Sequence, residues 1–268
     1  MRYCRFELNN EHHYGLVEPV AGRDTITRLL LMPPGSDQPM EELPTRKIEH
    51  IGLAEAKLLA PTIPSKIIAV ARNYGEHAKE LGNPVPTEMI IFLKPPSSVI
   101  GPGKQIRRPP DSQRVDYEGE LGVIICKRCR HLKDDQDVKE FIRGYTAVND
   151  VTARDLQQKD NGRFTRAKGF DTFCPAGPLV TDEIDPWAGV NVVCRVNGEV
   201  RQQGNTRDML FPLDAIIRHI ARIMTLFPGD LIATGTPPGV GQLQAGDVVE
   251  VNVEGVGALI NPVVDDSF

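Results

Sequence analysis

The sequence predicts an α+β protein that is mostly β, with mixed strand pairing, and three observations carry this. Short apolar or β-branched runs bounded by Gly, Pro, Asn and Asp recur along the 268 residues, the pattern of strands joined by turns. These runs do not alternate regularly with helical segments, which argues against a regular βαβ layout. The clearest helix lies at Pro212 to Thr225, where Ile216, Ile217, Ile220, Ile223 and Met224 form one apolar stripe opposite Arg218 and Arg222.

Taken in order, residues 1–60 read as a small separate β-rich unit. Short alternating strands fall around Tyr3 to Leu8 and Tyr14 to Glu18, then Leu29 to Met32, broken by Pro33-Pro34-Gly35. Pro61-Thr62-Ile63-Pro64 reads as a linker, because two prolines in four residues disfavour helix and central strand. A larger unit, residues 65–268, follows. It opens with Lys66 to Ala71, a continuous apolar run typical of a strand buried on both faces. A short helix, Glu76 to Leu81, is stopped by Gly82, and Ile90 to Leu93 is a second buried strand. Val115 to Ile125 is an apolar strand that carries the pair Glu118 and Glu120. A polar helix is expected near Gln136 to Arg143, and Tyr145 to Val148 is a strand ending at Asn149-Asp150. Residues 150–157 then pass from strand to helix, with Asn149, Asp150 or Thr152 as candidate caps. Gly162 to Gly169 has the polar character of a mobile loop. Asn197-Gly198 between two β-type runs marks a hairpin. Leu231 to Thr234 is a strand running into the Gly-rich turn Gly235 to Gly241, and the strands Val248 to Val253 and Ala258 to Val264 close the chain.

Composition removes several classes of function. A net charge of -5 gives no basic footprint, and Lys127-Arg128-Cys129-Arg130 is a short cluster better read as a solvated loop than a nucleic-acid surface. Five cysteines, an odd number in a long chain, argue against a disulfide framework and for a reducing compartment. Cys126-x-x-Cys129 has no second ligand pair at zinc-finger spacing, so it reads as a strand end turning into a basic loop. The charged start, Met1 to Glu7, lacks a segment of signal-peptide type, and no apolar run reaches the roughly 20 residues of a membrane span. A cytoplasmic protein with no membrane or nucleic-acid partner is therefore expected.

The candidate chemistry begins with Glu118 and Glu120. On one strand they share a face with Cα atoms about 6 to 7 Å apart. Such a pair needs water, a proton or a cation between its members. The bland alternative is a strand with one solvated face. His77 and Glu80, three apart on a helix, also share a face, although a surface helix yields that spacing by chance. Capping is the bland reading of Asp150. The Gly-rich turn lacks a P-loop ending, and no Gly-x-Gly-x-x-Gly opens a helix, so nucleotide binding is unsupported; its amides suit some other anion. Three carboxylates with no thiolate and no paired His would make a hard, all-oxygen site suited to Mg²⁺, Mn²⁺ or Ca²⁺ and poorly suited to zinc.

Six ordered segments resemble the fumarylacetoacetate hydrolase family: Arg72 to Glu80, Phe92-Leu93-Lys94-Pro95, Asp116 to Leu121, Gly144 to Gln157, Lys168 with Cys174-Pro175, and Thr234 to Gly241. The resemblance spans roughly residues 65–265. It implies a mixed β-roll catalytic domain, a homodimer, and a divalent cation, Mg²⁺ or Mn²⁺ with Ca²⁺ as a substitute, held by Glu118, Glu120 and Asp150. It also implies that His77 and Glu80 form a water-activating dyad on a mobile lid, with Lys168 as a further catalytic group. Arg154, Gln157 and Thr236 match groups that line the substrate pocket, although Arg154 has a structural reading as well. The first 60 or so residues resemble the variable N-terminal unit of longer members and receive no role.

The substrate class implied is a small enolisable 2-oxo acid. Positive charge at its oxo group would stabilise the enolate that develops when a neighbouring bond breaks. Hydrolytic carbon-carbon cleavage of a 1,3-diketo acid, of acylpyruvate or fumarylpyruvate type, is the first reading. Decarboxylation of an oxaloacetate-type acid and isomerisation of a hydroxymuconate or 2-hydroxyhepta-2,4-diene-1,7-dioate are alternatives on the same site. A reading from another class, a non-catalytic binding protein, has the unused carboxylate trio against it.

Overall fold

The structure, a computed structural model, describes residues 1–34, 38–82 and 84–267. Gly35, at the end of the expected Pro-Pro-Gly break, lies outside the described residues.

Among the described residues, mostly β architecture follows from three sheets. The largest has 12 strands, and its central path runs Thr45–Gly52, Arg23–Leu30, Glu11–Val20, Arg2–Leu8, Cys174–Thr181, Ile142–Asn149, Gly119–Ile125, Leu231–Ala233, Ile67–Ala71, Ile90–Lys94. Pairing is mixed: Leu231–Ala233 lies parallel to Ile67–Ala71 while both flanking pairs are antiparallel. A 5-stranded sheet contains the Asn-Gly hairpin, Asn191–Val196 with Glu199–Asn205, and the closing pair Val248–Val253 and Gly257–Asp265. A 3-stranded sheet joins Val115–Tyr117 to Thr152–Ala153 and Gly241–Gln242.

Continuous apolar runs sit where both faces are covered. Along Ile67–Ala71, Ile68 and Val70 enter one core cluster, which also holds Val192, Val251 and the helix residues Ile216, Ile217 and Ile220. Ile67 and Ala69 enter a second cluster with Tyr3, Leu16, Ile124 and Val180. The N-terminal strands are an antiparallel meander whose first strand continues the large sheet, with Arg2 opposite Thr181 and Tyr3 opposite Val180.

Several local expectations are corrected. Glu118 interrupts the expected strand at 115–125, which is two strands in two different sheets. The expected polar helix at 136–143 is a single 3-10 turn, Val138–Phe141, and strand resumes at Ile142. Its neighbouring carbonyls are taken elsewhere: Phe141 O accepts from Cys126 N at 2.9 Å, and Arg218 donates to the carbonyls of Lys133 and Gln136, each at 2.6 Å. Ile90–Lys94 is an edge strand, so Leu93 is half exposed rather than buried. Along the helix Leu213–Ile223, Ile223 is exposed and Met224 lies past the end, so Leu213 and Ala221 complete the buried face. The third N-terminal strand is Arg23–Leu30, earlier than expected, and the charged, largely exposed Thr45–Gly52 was missed.

Candidate active site

Glu118 sits at the joint between two sheets, and the joint aims it. Val115–Tyr117 pairs with Thr152–Ala153, whereas Gly119–Ile125 pairs with Ile142–Asn149. The backbone carbonyl of Glu118 accepts from Asp150 N at 2.8 Å, and Asn149 Oδ1 accepts from Glu118 N at 3.0 Å. Asp150 is thereby fixed beside Glu118. None of the candidate caps closes the helix Arg154–Lys159, whose N-cap is Ala153. Asn149 is engaged by Glu118, and Thr152 Oγ1 donates to Asp150 O at 3.0 Å.

Carboxylate oxygens of Glu118, Glu120 and Asp150 lie within 4.8 Å of one another, and all three residues are buried. Burial excludes the solvated-strand reading. Glu120 Oε2 accepts from Gly235 N at 2.7 Å, and Glu80 accepts from Gly239 N at 3.0 Å. The Gly-rich turn therefore presents amides to anions, and the anions are the chain's own carboxylates. Gly235 is needed there: its φ is +102°, and a Cβ would lie 2.6 Å from Asn73 Cβ.

Buried cations answer the acids. Residues 162–169, expected as a loop, include the short helix Thr165–Lys168, and it buries Lys168. Lys168 Nζ donates to Glu118 Oε2 at 2.7 Å and also to Asp150 Oδ2. Lys94 Nζ lies 2.7 Å from Asp150 Oδ1 and donates to Lys168 O at 2.7 Å. Arg154 donates to Asp116 Oδ2 at 3.0 Å, to Gln157 Oε1 at 2.7 Å and to Glu118 Oε1. Burial alone would raise the Glu118 pKa, but Lys168, Arg154 and His77 outweigh it and hold this carboxyl well below its usual range. Glu120 goes the other way: burial, then Asp150 and Glu118, push it well up. Burial would lower the Lys168 pKa, yet Asp150 and Glu118 raise it, so the ammonium stays charged.

These donors fit a hard divalent cation. They are three buried carboxylates whose oxygens converge within 4.8 Å, with no thiolate among them, and Asp150 Oδ1 is balanced by the Lys94 ammonium at 2.7 Å.

The cluster opens into a cavity of about 210 Å³. Eight of the nine residues singled out from sequence line it: His77, Glu118, Glu120, Asp150, Arg154, Gln157, Lys168 and Thr236. Glu80 stands behind His77, its Oε2 3.3 Å from Nδ1. Burial lowers the His77 pKa more than Glu118 and Glu80 raise it, so the ring is neutral at pH 7. Thr236 Oγ1 donates to Gly119 O at 2.9 Å and accepts from Gln202 Nε2 at 2.7 Å.

Sequence reasoning missed Arg72, Phe92, Phe164, Lys94 and Gln202 as site residues. Phe92 and Phe164 stack at 4.4 Å and line the cavity. The available signal was position within the ordered segments for Arg72, Phe92 and Lys94; Gln202 and Phe164 had none.

A mixed β fold closing over a buried three-carboxylate cluster, with a neutral imidazole on the same cavity, defines a class of acid-lined small-molecule sites built from several sheets. More narrowly, residues 66–264 match the family model "Fumarylacetoacetate (FAA) hydrolase C-terminal", and the chain belongs to the fumarylacetoacetate hydrolase family. Residues 1–61 match the model "Rv2993c-like, N-terminal". The chain is 45% identical over 222 residues to human mitochondrial oxaloacetate tautomerase FAHD2A, covering 79% of this chain and 70% of that protein. It is similar to the crystal structure of 5-carboxymethyl-2-hydroxymuconate delta-isomerase from Mycobacterium smegmatis, with 38% identity, TM-score 0.88 and coverage of 99% and 100%. It is also similar to 2-hydroxyhepta-2,4-diene-1,7-dioate isomerase from Mycobacterium marinum, with 38% identity, TM-score 0.86 and full coverage of both chains. Among the described residues, no helix is long and apolar enough to cross a membrane.

Proposed function

We propose that the chain is a divalent-metal-dependent enzyme that interconverts the keto and enol forms of a small 2-oxo acid. The observation that carries this is the buried carboxylate trio, within 4.8 Å, facing the same cavity as a neutral histidine. Glu118, Glu120 and Asp150 would hold Mg²⁺ or Mn²⁺, with Ca²⁺ a substitute, and such an ion when bound supplies positive charge that polarises a 2-oxo carbonyl. Glu80 facing His77 Nδ1 favours the tautomer with the proton on that nitrogen. Nε2 is then left to take a proton from the carbon next to the carbonyl and return it. Lys168, charged and buried, places a second positive charge beside the substrate oxygens. Phe92 and Phe164 exclude water from one wall. Relatives named as an oxaloacetate tautomerase and as isomerases support proton transfer as the outcome.

Hydrolytic cleavage of a 1,3-diketo acid is the second reading, favoured by the His77-Glu80 contact, since Nε2 held in this way would also deprotonate a water. The test is a metal-dependent assay over oxaloacetate, acetylpyruvate, fumarylpyruvate and a hydroxymuconate. We expect Glu118→Ala to abolish turnover of all four, and His77→Ala, which removes the proposed base, to cut keto-enol interconversion and hydrolysis alike. Metal-independent turnover that survives Glu118→Ala would refute the reading. A homodimer is proposed on the family resemblance, and sedimentation velocity reads it directly.

A further inference from the structure

Among the described residues, three cationic side chains line the cavity: Arg72, Arg154 and Lys168. Two are already engaged. Lys168 bridges Glu118 and Asp150, and Arg154 holds Asp116, Gln157 and Glu118. Arg72 is half-buried, and among the described residues its side chain makes no hydrogen bond or ion pair. A half-buried guanidinium with five donors facing a cavity is matched to an incoming planar anion.

Its backbone is also set deliberately. Arg72 has φ +56°, and among the described non-glycine residues in this left-handed region it is the one that lines the cavity. Such a conformation is unfavourable for a side-chain-bearing residue and persists only where neighbours over-determine it. Asn73 provides that: Nδ2 donates to Thr234 O at 2.8 Å and to Phe211 O at 3.1 Å, and Oδ1 accepts from Phe211 N at 2.8 Å. The Asn73 carbonyl accepts from Leu210 N at 2.8 Å, and Gly235 packs against its Cβ. The strand Ile67–Ala71 thus ends in a turn clamped from three sides, and Arg72 is the residue the clamp directs to the cavity wall.

We propose that Arg72 binds a second, distal carboxylate of the substrate, so that the site selects 2-oxo acids with an acidic far end over those with a neutral one. This rests on the 2-oxo acid reading above. A guanidinium-carboxylate pair in a partly desolvated site gives discrimination of about tenfold or more, because the analogue lacking the anion leaves the cation unmatched.

Two inert probes separate the parts. Oxamate presents a carboxylate beside a carbonyl and ends there; N-oxalylglycine presents the same head with a distal carboxylate. Calorimetric titration of the full chain with each, in millimolar Mg²⁺, needs no turnover. We expect the wild type to bind N-oxalylglycine at least tenfold tighter than oxamate. Arg72→Met should collapse that ratio toward one through loss of N-oxalylglycine affinity, with oxamate moving far less, and Arg72→Lys should restore part of it. A ratio that persists in Arg72→Met, or an equal loss for both probes, overturns the proposal. Wild-type binding of both probes without selectivity removes the role of Arg72 alone, whereas binding of neither removes the 2-oxo acid reading and this proposal with it.

Discussion

Replacing Lys168 with methionine tests the charge balance of the site most directly. The substitution keeps much of the side chain's apolar bulk and removes the ammonium that Glu118 and Asp150 share, all three groups being almost fully buried. Removing one partner of a buried ion pair costs about 3–5 kcal/mol, since the remaining charge stays uncompensated. An unfolding entropy of about 2.1 cal/mol/K per residue converts that into a Tm lower by about 5–9 °C for a chain of this length. Scanning calorimetry in EDTA should read this fall. Millimolar Mg²⁺ should then raise the Tm of the variant more than that of the wild type, because three acids without Lys168 attract a cation more strongly. A variant that melts within a degree of the wild type in EDTA would refute the idea that Lys168 compensates the trio.

Stability should also follow His77. Its folded pKa lies below the ordinary 6.5, chiefly through burial, so the unfolded chain takes up the proton first. The stability it contributes is full above about pH 6.5 and is lost as pH falls through that value toward the folded one. The difference in urea midpoint between wild type and His77→Gln should therefore change across that window and be flat above it. Gly235→Ala should destabilise by about 1–3 kcal/mol through its left-handed backbone and the close approach to Asn73, measurable by denaturant unfolding. Ile220→Ala, at a fully buried position of Leu213–Ile223, should cost about 2–5 kcal/mol, while the exposed Ile223→Ala should stay within about 0.5 kcal/mol.

Legibility in the sequence tracked how local each cause was. Ile67–Ala71 and Leu231–Ala233 were readable because both faces are buried and every residue is apolar. The Asn197-Gly198 hairpin was readable because two adjacent residues dictate the turn. The supposed helix before Ile142 was not, because Arg218, far along the chain, takes the Gln136 carbonyl that its first turn would use. Likewise Lys168 read as a residue of a polar loop, since only the packing of Thr165–Lys168 against distant acids buries it. Periodicity put Glu118 and Glu120 on one face but not Asp150 beside them. That came from the Asp150 N to Glu118 O bond, a tertiary fact carried in the sequence reading by family resemblance.

The hydrogen bonding of Arg2–Leu8 to Cys174–Thr181 has a kinetic side. Lys57–Leu59 covers Arg5 to Glu7 early, but Arg2 and Tyr3 wait for a much later strand, which raises contact order and slows the final closure. During that interval the edge of Cys174–Thr181 and the short stretch at Arg2 and Tyr3 lack each other as partners, so severing the two regions should favour aggregation over assembly.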